Sequence, residues 1–218
     1  MEVSRRAVRA VKRAELSGAG PTRVERSPGR WPGAAAKFAL FGEVLYVGLL
    51  VSALSIPVVT IPLAFAVGTR HLRRYLLAEA SGIALAGRDL RLGILRSLPL
   101  GLAMAAIVAA LVVDMSLAQD RVVPGAELIA VVGWLGLAAV LCVLLTAARL
   151  WSPERGWLPA LRGCWPVWCG DPVGVAYLLA AGGLVALLGW QLLPLVVPGI
   201  GCLVLALLAI PERTRSRE

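Results

Sequence analysis

Glu43 is the only charged residue in an apolar run that extends from Phe38 to Thr69. A carboxylate inside a membrane segment is a candidate proton relay or substrate contact. The helical rise of 1.5 Å per residue puts it roughly 6–8 Å past the inner boundary of that run. From there its side chain reaches the aqueous boundary, or pairs with Arg96 or Arg149 near the inner ends of neighbouring helices. The spacing favours a structural ion pair, with transport as the other reading. Asp114 is the second candidate intramembrane acid. It lies near the outer end of a later apolar run, with Asp120 and Arg121 beyond it and Glu127 opening the next run. Acids so close to the boundary form a polar cap over a short hairpin at little cost.

The other reactive residue types do not assemble. His71, the single histidine, stands among arginines in "GTRHLRRY", and metal binding or acid–base work needs partners that it lacks. No serine or cysteine nucleophile has a plausible histidine partner across the chain. Cys164 and Cys169 form C-x4-C in "GCWPVWCG" with no histidine close by, too little for a zinc site. Cys142 and Cys202 lie in apolar runs, where cysteine behaves as a small hydrophobe. The expectation is no catalytic residue, no cofactor and no metal. Four of the seven tryptophans, Trp151, Trp157, Trp165 and Trp168, fall in one segment, Trp151–Gly170. Indoles favour the headgroup layer, so these four are expected to be interface anchors, with Arg155 and Arg162 facing phosphates. A partner-docking surface is the sharper alternative.

Apolar runs must position these residues. The chain has 218 residues, 59% hydrophobic and 16% charged, with a mean hydropathy of +0.81. Soluble domains sit near 45–50% apolar and about 25% charged. Long uncharged runs identify spanning helices in contact with a lipid bilayer. The net charge of +9 comes almost wholly from arginine. Because the arginines flank apolar runs, they orient and anchor the chain, and nucleic-acid binding is not expected.

Length and proline set the number of crossings. Pro172–Pro211 contains no charge and as one helix would measure about 60 Å, twice the hydrocarbon thickness. It must fold back, and Pro194 and Pro198 supply the break. The first run has a second such corner at Pro57 and Pro62. A turn there returns residues 70–96, with six arginines, to the side of the basic N-terminus. Six spans then place 21 basic residues inside and one, Arg121, outside, as the positive-inside rule requires. The predicted spans are 38–56, 59–78, 98–118, 127–148, 173–190 and 193–210, in one domain over residues 35–211. Residues 1–34 read as a basic, disordered cytoplasmic arm and 212–218 as a basic cytoplasmic tail. Gly101, Ala105 and Ala109, with Ala176 and Ala180 on a later span, form small-residue stripes that let helices approach closely; packing within the chain is expected, and a homodimer is the alternative.

The piece "LYVGLLVSALSIPVVTIPLAFAVGTRHLRRYL", Leu45–Leu76, resembles the opening of the YesL-like family of bacterial membrane proteins, a domain family of unknown function. Members look like this at their start: an apolar helix, a P-V-V-T corner followed by another proline, then a helix running into a basic segment. Here the corner is Pro57, Val58, Val59, Thr60 and Pro62, and "GRDLRLGILRSLPLG", Gly87–Gly101, takes the place of the amphipathic lead-in to the next span. Ile61 stands where the family has glycine, and leucines replace the phenylalanines of its lead-in. The resemblance rests on residues 45–118. It implies no catalytic residues, and an association with carbohydrate uptake.

The sequence thus predicts an all-α polytopic bundle of about six transmembrane helices in the bacterial cytoplasmic membrane, with both termini cytoplasmic. The expected role is a non-enzymatic accessory or assembly partner of another membrane protein, such as a transporter component. A small solute transporter or channel is the alternative.

Overall fold

A computed structural model describes residues 32, 37–119 and 126–215. The expected arm at 1–34 (Pro32 apart), Asp120, Arg121 and residues 216–218 lie outside the described residues. Leu-, Val- and Ala-rich stretches form eight α-helices among those described: α1 Lys37–Leu54, α2 Ile61–Leu76, α3 Ile83–Gln119, α4 Ala126–Leu150, α5 Trp157–Arg162, α6 Cys164–Gly170, α7 Pro172–Gln191 and α8 Val196–Arg215. The described residues contain no strand.

Proline and short polar side chains place the breaks. Pro57 adopts an extended conformation that ends α1 and leads into a 3-10 turn at Val58–Thr60. The Thr60 hydroxyl closes this corner on the carbonyls of Leu54 and Pro57. Pro62 then occupies the first turn of α2, where a missing N–H is harmless and the fixed φ favours helix. Pro194 lies in a matching 3-10 turn, Leu193–Leu195, and Pro198 in the first turn of α8. Asp171 caps α7: its Oδ1 accepts the Gly174 N–H at 2.8 Å, and Pro172 follows it. The end of α2 closes differently. The N–H of Glu79 reaches the Arg74 carbonyl at 2.9 Å and that of Ala78 the Tyr75 carbonyl at 2.9 Å. Ala78 takes a φ of 56°, filling the left-handed position that glycine usually occupies in this helix ending.

α2 is the axis of the bundle. Every residue from Pro62 to Thr69 is buried, enclosed by α1, α3, α4 and α8. Close approach depends on missing side chains. A Cβ on Gly48 would overlap the Val197 carbonyl, and one on Gly201 would overlap the Val44 carbonyl. α1 and α8 therefore cross backbone to backbone, as small residues permit where lipid gives no hydrophobic drive. Gly101 of α3 lies against the carbonyl of Val59 in the proline corner. Within the amphipathic lead-in, Ala86, Asp89, Gly93, Ser97 and Gly101 form the buried stripe. These positions repeat every three or four residues and so share one helix face. Ala109, Ala176 and Ala180 of the expected stripes are exposed. On α7 the inward residues are instead Gly174, Leu178 and Gly182.

The remaining faces of the long helices are apolar and outward. Leu102, Ile107 and Val113 on α3, Val131 and Leu135 on α4, and Leu184 and Leu187 on α7 are all exposed. Five helices are long and apolar enough to cross a membrane. Together they make the chain an all-α membrane-type bundle, since a surface of this kind is solvated by lipid and not by water. Two elements differ from expectation. α2 is short, about 24 Å at the helical rise, and is not among the five; its neighbours surround it, so its own surface need not match the bilayer. α3 fuses the lead-in and the third span into one helix of 37 residues, about 55 Å long, passing through Pro99 without a break.

Candidate functional site

Three of the four basic residues that end α2 pair with two neighbouring helices. Arg70 and Arg74, one turn apart, face α3, where Asp89 accepts from Arg70 Nε at 3.1 Å and from Arg74 Nη2 at 2.9 Å. Asp89 is 4% exposed, so it is a buried carboxylate compensated by two guanidinium groups, the arrangement burial demands. His71 points about 100° away around the helix. It meets α1, where its Nε2 lies 2.6 Å from Glu43 Oε1 and its ring packs, tilted by 50°, against Tyr46 at 5.4 Å. His71 is 2% exposed. Glu43 is therefore in an ion-pair-type contact, but its partner is His71, and not Arg96 or Arg149. Arg96 instead donates to the Pro153 carbonyl at 3.1 Å, tying the lead-in of α3 to the loop after α4.

That loop and the end of α2 bound a cleft of about 650 Å³. Arg70, Arg73, Arg74, Arg149 and Arg155 line it, together with Trp151. The Arg70 guanidinium stands 5.9 Å over the Trp151 ring, within cation–π range. Glu79 and Glu154 are the acids of the lining. The Glu154 carboxyl is held below the ordinary carboxylate range by its backbone N–H and the Ser152 hydroxyl, with Arg70 and Arg74 acting in the same direction. Two donors in the walls, Arg74 Nη1 and Trp151 Nε1, are sealed from solvent with no protein acceptor. Gly156, at φ 75° and ψ −166°, closes the loop in a conformation almost restricted to glycine. A second cavity, about 430 Å³, lies between α4, α6, α7 and α8 and is walled chiefly by apolar residues such as Val175, Leu178, Leu207 and Ile210.

The expected tryptophan anchors separate into two kinds. Trp151 and Trp157 are 3% and 7% exposed and pack on each other at 5.5 Å, so they are core residues and not headgroup anchors. A notch made by Gly93 takes Trp151, because a Cβ there would press into its ring. Trp168 is half-buried and donates from Nε1 to Thr146 at 3.0 Å. Trp165 alone of the four is exposed, at 70%. Asp114 and Glu127 are exposed near the far ends of α3 and α4. Of the proline corners, Pro57 and Pro194 are exposed, Pro198 is half-buried and Pro62 buried, and Val59 of the first corner lies against Gly101, midway along α3.

Asp89 is the site residue that sequence reasoning passed over. It is the one acid between Arg88 and Arg96, and it occupies the small-residue stripe of the lead-in, a position where a carboxylate must be paired. The chemistry this end supports is the binding of negative charge. Among the described residues no group of three histidine, cysteine or acidic side chains could hold a metal ion. No protein-family model matches the chain, and neither a curated protein nor a solved structure matches it.

Proposed function

We propose that this protein is a non-enzymatic accessory subunit of a bacterial inner-membrane transport assembly, and that it acts from its cytoplasmic face. In this reading both termini and the arginine-bearing connectors are cytoplasmic, in keeping with the one-sided distribution of basic residues. The resemblance of Leu45–Leu76 to the YesL-like family points to carbohydrate uptake as the process served.

The packing of α2 carries the reading. From Pro62 to Gly68 every residue is buried and apolar, so the axis of the bundle offers a solute none of the polar contacts that conduction requires. The described polar clusters gather at one end, beside α5 and α6. There Leu158 and Trp165 are exposed at 64% and 70%, a surface able to dock another membrane protein.

The test has two arms. A photoreactive residue placed at Trp165 in native membranes should crosslink to a component of a transport system, and the purified protein in vesicles should pass no sugar. A saturable flux abolished by Glu43→Gln would replace this reading with a small transporter. Orientation is checked in a cysteine-free background: an impermeant thiol reagent on intact cells should label Val58→Cys and spare Ala84→Cys.

A further inference from the structure

We infer that the cavity between α4, α6, α7 and α8 is a lipid site, taking one acyl chain of a phospholipid whose headgroup has no net charge. This goes beyond the accessory role and does not depend on it. The space measures about 430 Å³, within the range of small-molecule pockets, roughly 300–1,000 Å³. Its lining changes character along the helix axes. Arg149, Gly170, Asp171 and Pro211 lie at the end of the bundle where α4 and α8 finish and α7 begins. Val175, Leu178 and Leu207 lie deeper, Leu178 about 10 Å along α7 from Asp171. Gly170 at the mouth is exposed, whereas Leu178 and Leu207 are 6% and 3% exposed. A polar mouth above an apolar floor repeats the order of a lipid in the adjoining leaflet, headgroup outermost and chain toward the midplane.

Charge selects the headgroup. Among the described lining residues the charged ones are Arg149 and Asp171, and each already has a partner. One guanidinium and one carboxylate leave the mouth with no net charge to hold an anion. A zwitterionic head therefore fits it better than an anionic one. The contents of the inner half follow from its walls. Water needs several polar partners, and Val175, Leu178 and Leu207 offer none. An acyl chain gains dispersion contact with the same side chains. The mouth is also fixed in place: Asp171 Oδ1 accepts the Gly174 N–H at 2.8 Å, and Trp168 Nε1 donates to Thr146 at 3.0 Å. A preorganised site loses less entropy on binding.

The experiment uses the full chain in phosphatidylcholine nanodiscs that carry a trace of lipid with a diazirine in one acyl chain. The tagged lipid is phosphatidylcholine in one arm and phosphatidylglycerol, with the same chains, in the other. After irradiation, mass spectrometry maps the adducts. They should form at Val175, Leu178, Leu207 or Ile210 as well as at Leu184 and Leu187, which face the surrounding lipid. Val175→Trp, which fills the cavity, should cut the first group by more than half and spare the second. Val173→Trp, at an exposed position on the same helix, should change neither. In the native chain the ratio of cavity to surface adducts should be higher with tagged phosphatidylcholine than with tagged phosphatidylglycerol. That reading needs no substitution, so it stands even where Val175→Trp fails to fold. Adducts confined to surface positions mean bulk lipid only and overturn the assignment. Equal losses from the two variants, or a higher ratio with phosphatidylglycerol, overturn it as well.

Discussion

The Nε2 of His71 lies 2.6 Å from Oε1 of Glu43, joining α2 to α1 across 28 positions of sequence. The contact is buried on the histidine side and part-exposed on the carboxylate side, so its two partners are not equivalent. Removing the imidazole leaves a carboxylate facing an apolar interior. Removing the charge leaves an amide oxygen that still accepts the His71 N–H. We therefore expect His71→Ala to lower stability by about 2–4 kcal/mol and Glu43→Gln by only about 1 kcal/mol. Unfolding of the purified variants in mixed micelles checks this order. If Glu43→Gln is the more damaging, the pair does not hold the hairpin together.

A parallel contact through Asp89 behaves differently, because one acid serves two bases. Asp89→Asn leaves Arg70 and Arg74 facing each other at the α2–α3 contact. Both arginines retain partial exposure, 24% and 19% of the side chain, which moderates the loss to about 2–3 kcal/mol. Adding Arg74→Gln to Asp89→Asn should recover part of it, since the second substitution removes the repulsion left by the first. Additive losses in thermal midpoint would show that Asp89 acts through some other contact.

Much of the fold could be read from length and proline. Forty uncharged residues after Asp171 exceed one crossing, and the prolines at 57, 62, 194 and 198 stand where the chain turns. The pairing of Glu43 could not be read, because it depends on the register of α1 against α2. A 3-10 corner at Val58–Thr60 sets that register, and one residue more or fewer would rotate His71 to another neighbour. The inward turn of Trp151 was hidden for a similar reason: it follows from the notch at Gly93, on a helix nearly sixty residues earlier. Asp89 was legible in principle, as the charged member of the stripe Ala86, Asp89, Gly93, Ser97 and Gly101. Its basic neighbours masked it, making the segment look uniformly cationic.

The crossing of α1 and α8 gives a sharper test of packing. Each of Gly48 and Gly201 faces a backbone carbonyl of the other helix, and backbone cannot rotate away as a side chain can. Gly48→Ala and Gly201→Ala should each destabilise by about 2–3 kcal/mol. The two should combine to less than their sum, because the first already separates the helices. Gly42 and Gly183 have nothing within 4 Å of a built Cβ. Alanine there should be neutral or stabilise by up to about 1 kcal/mol, the gain in helix propensity. Similar losses at all four positions in a thermal or denaturant series would mean that close approach is not what holds α1 to α8.

The last expectation concerns alkaline pH and Cys164, in the short helix α6. Burial pushes its thiol up to about 11, and Arg149 offsets this only in part. The folded state thus favours the protonated thiol more than the unfolded chain does, with its ordinary value near 9.0. Below that value the preference has no pH dependence. As pH climbs from about 9 toward 11 the unfolded chain ionises first and stability falls, by about 2 kcal/mol from this one group. Cys164→Ala should flatten that stretch of the pH–stability curve, whereas Cys169→Ala, at an exposed position, should not. The same protonation governs reactivity: at pH 8 only about one Cys164 in a thousand is a thiolate, so an alkylating reagent should modify Cys169 and spare Cys164. Mass spectrometry of the alkylated protein reads this directly, and prompt modification of Cys164 at pH 8 would mean that α6 does not bury its first residue against α4.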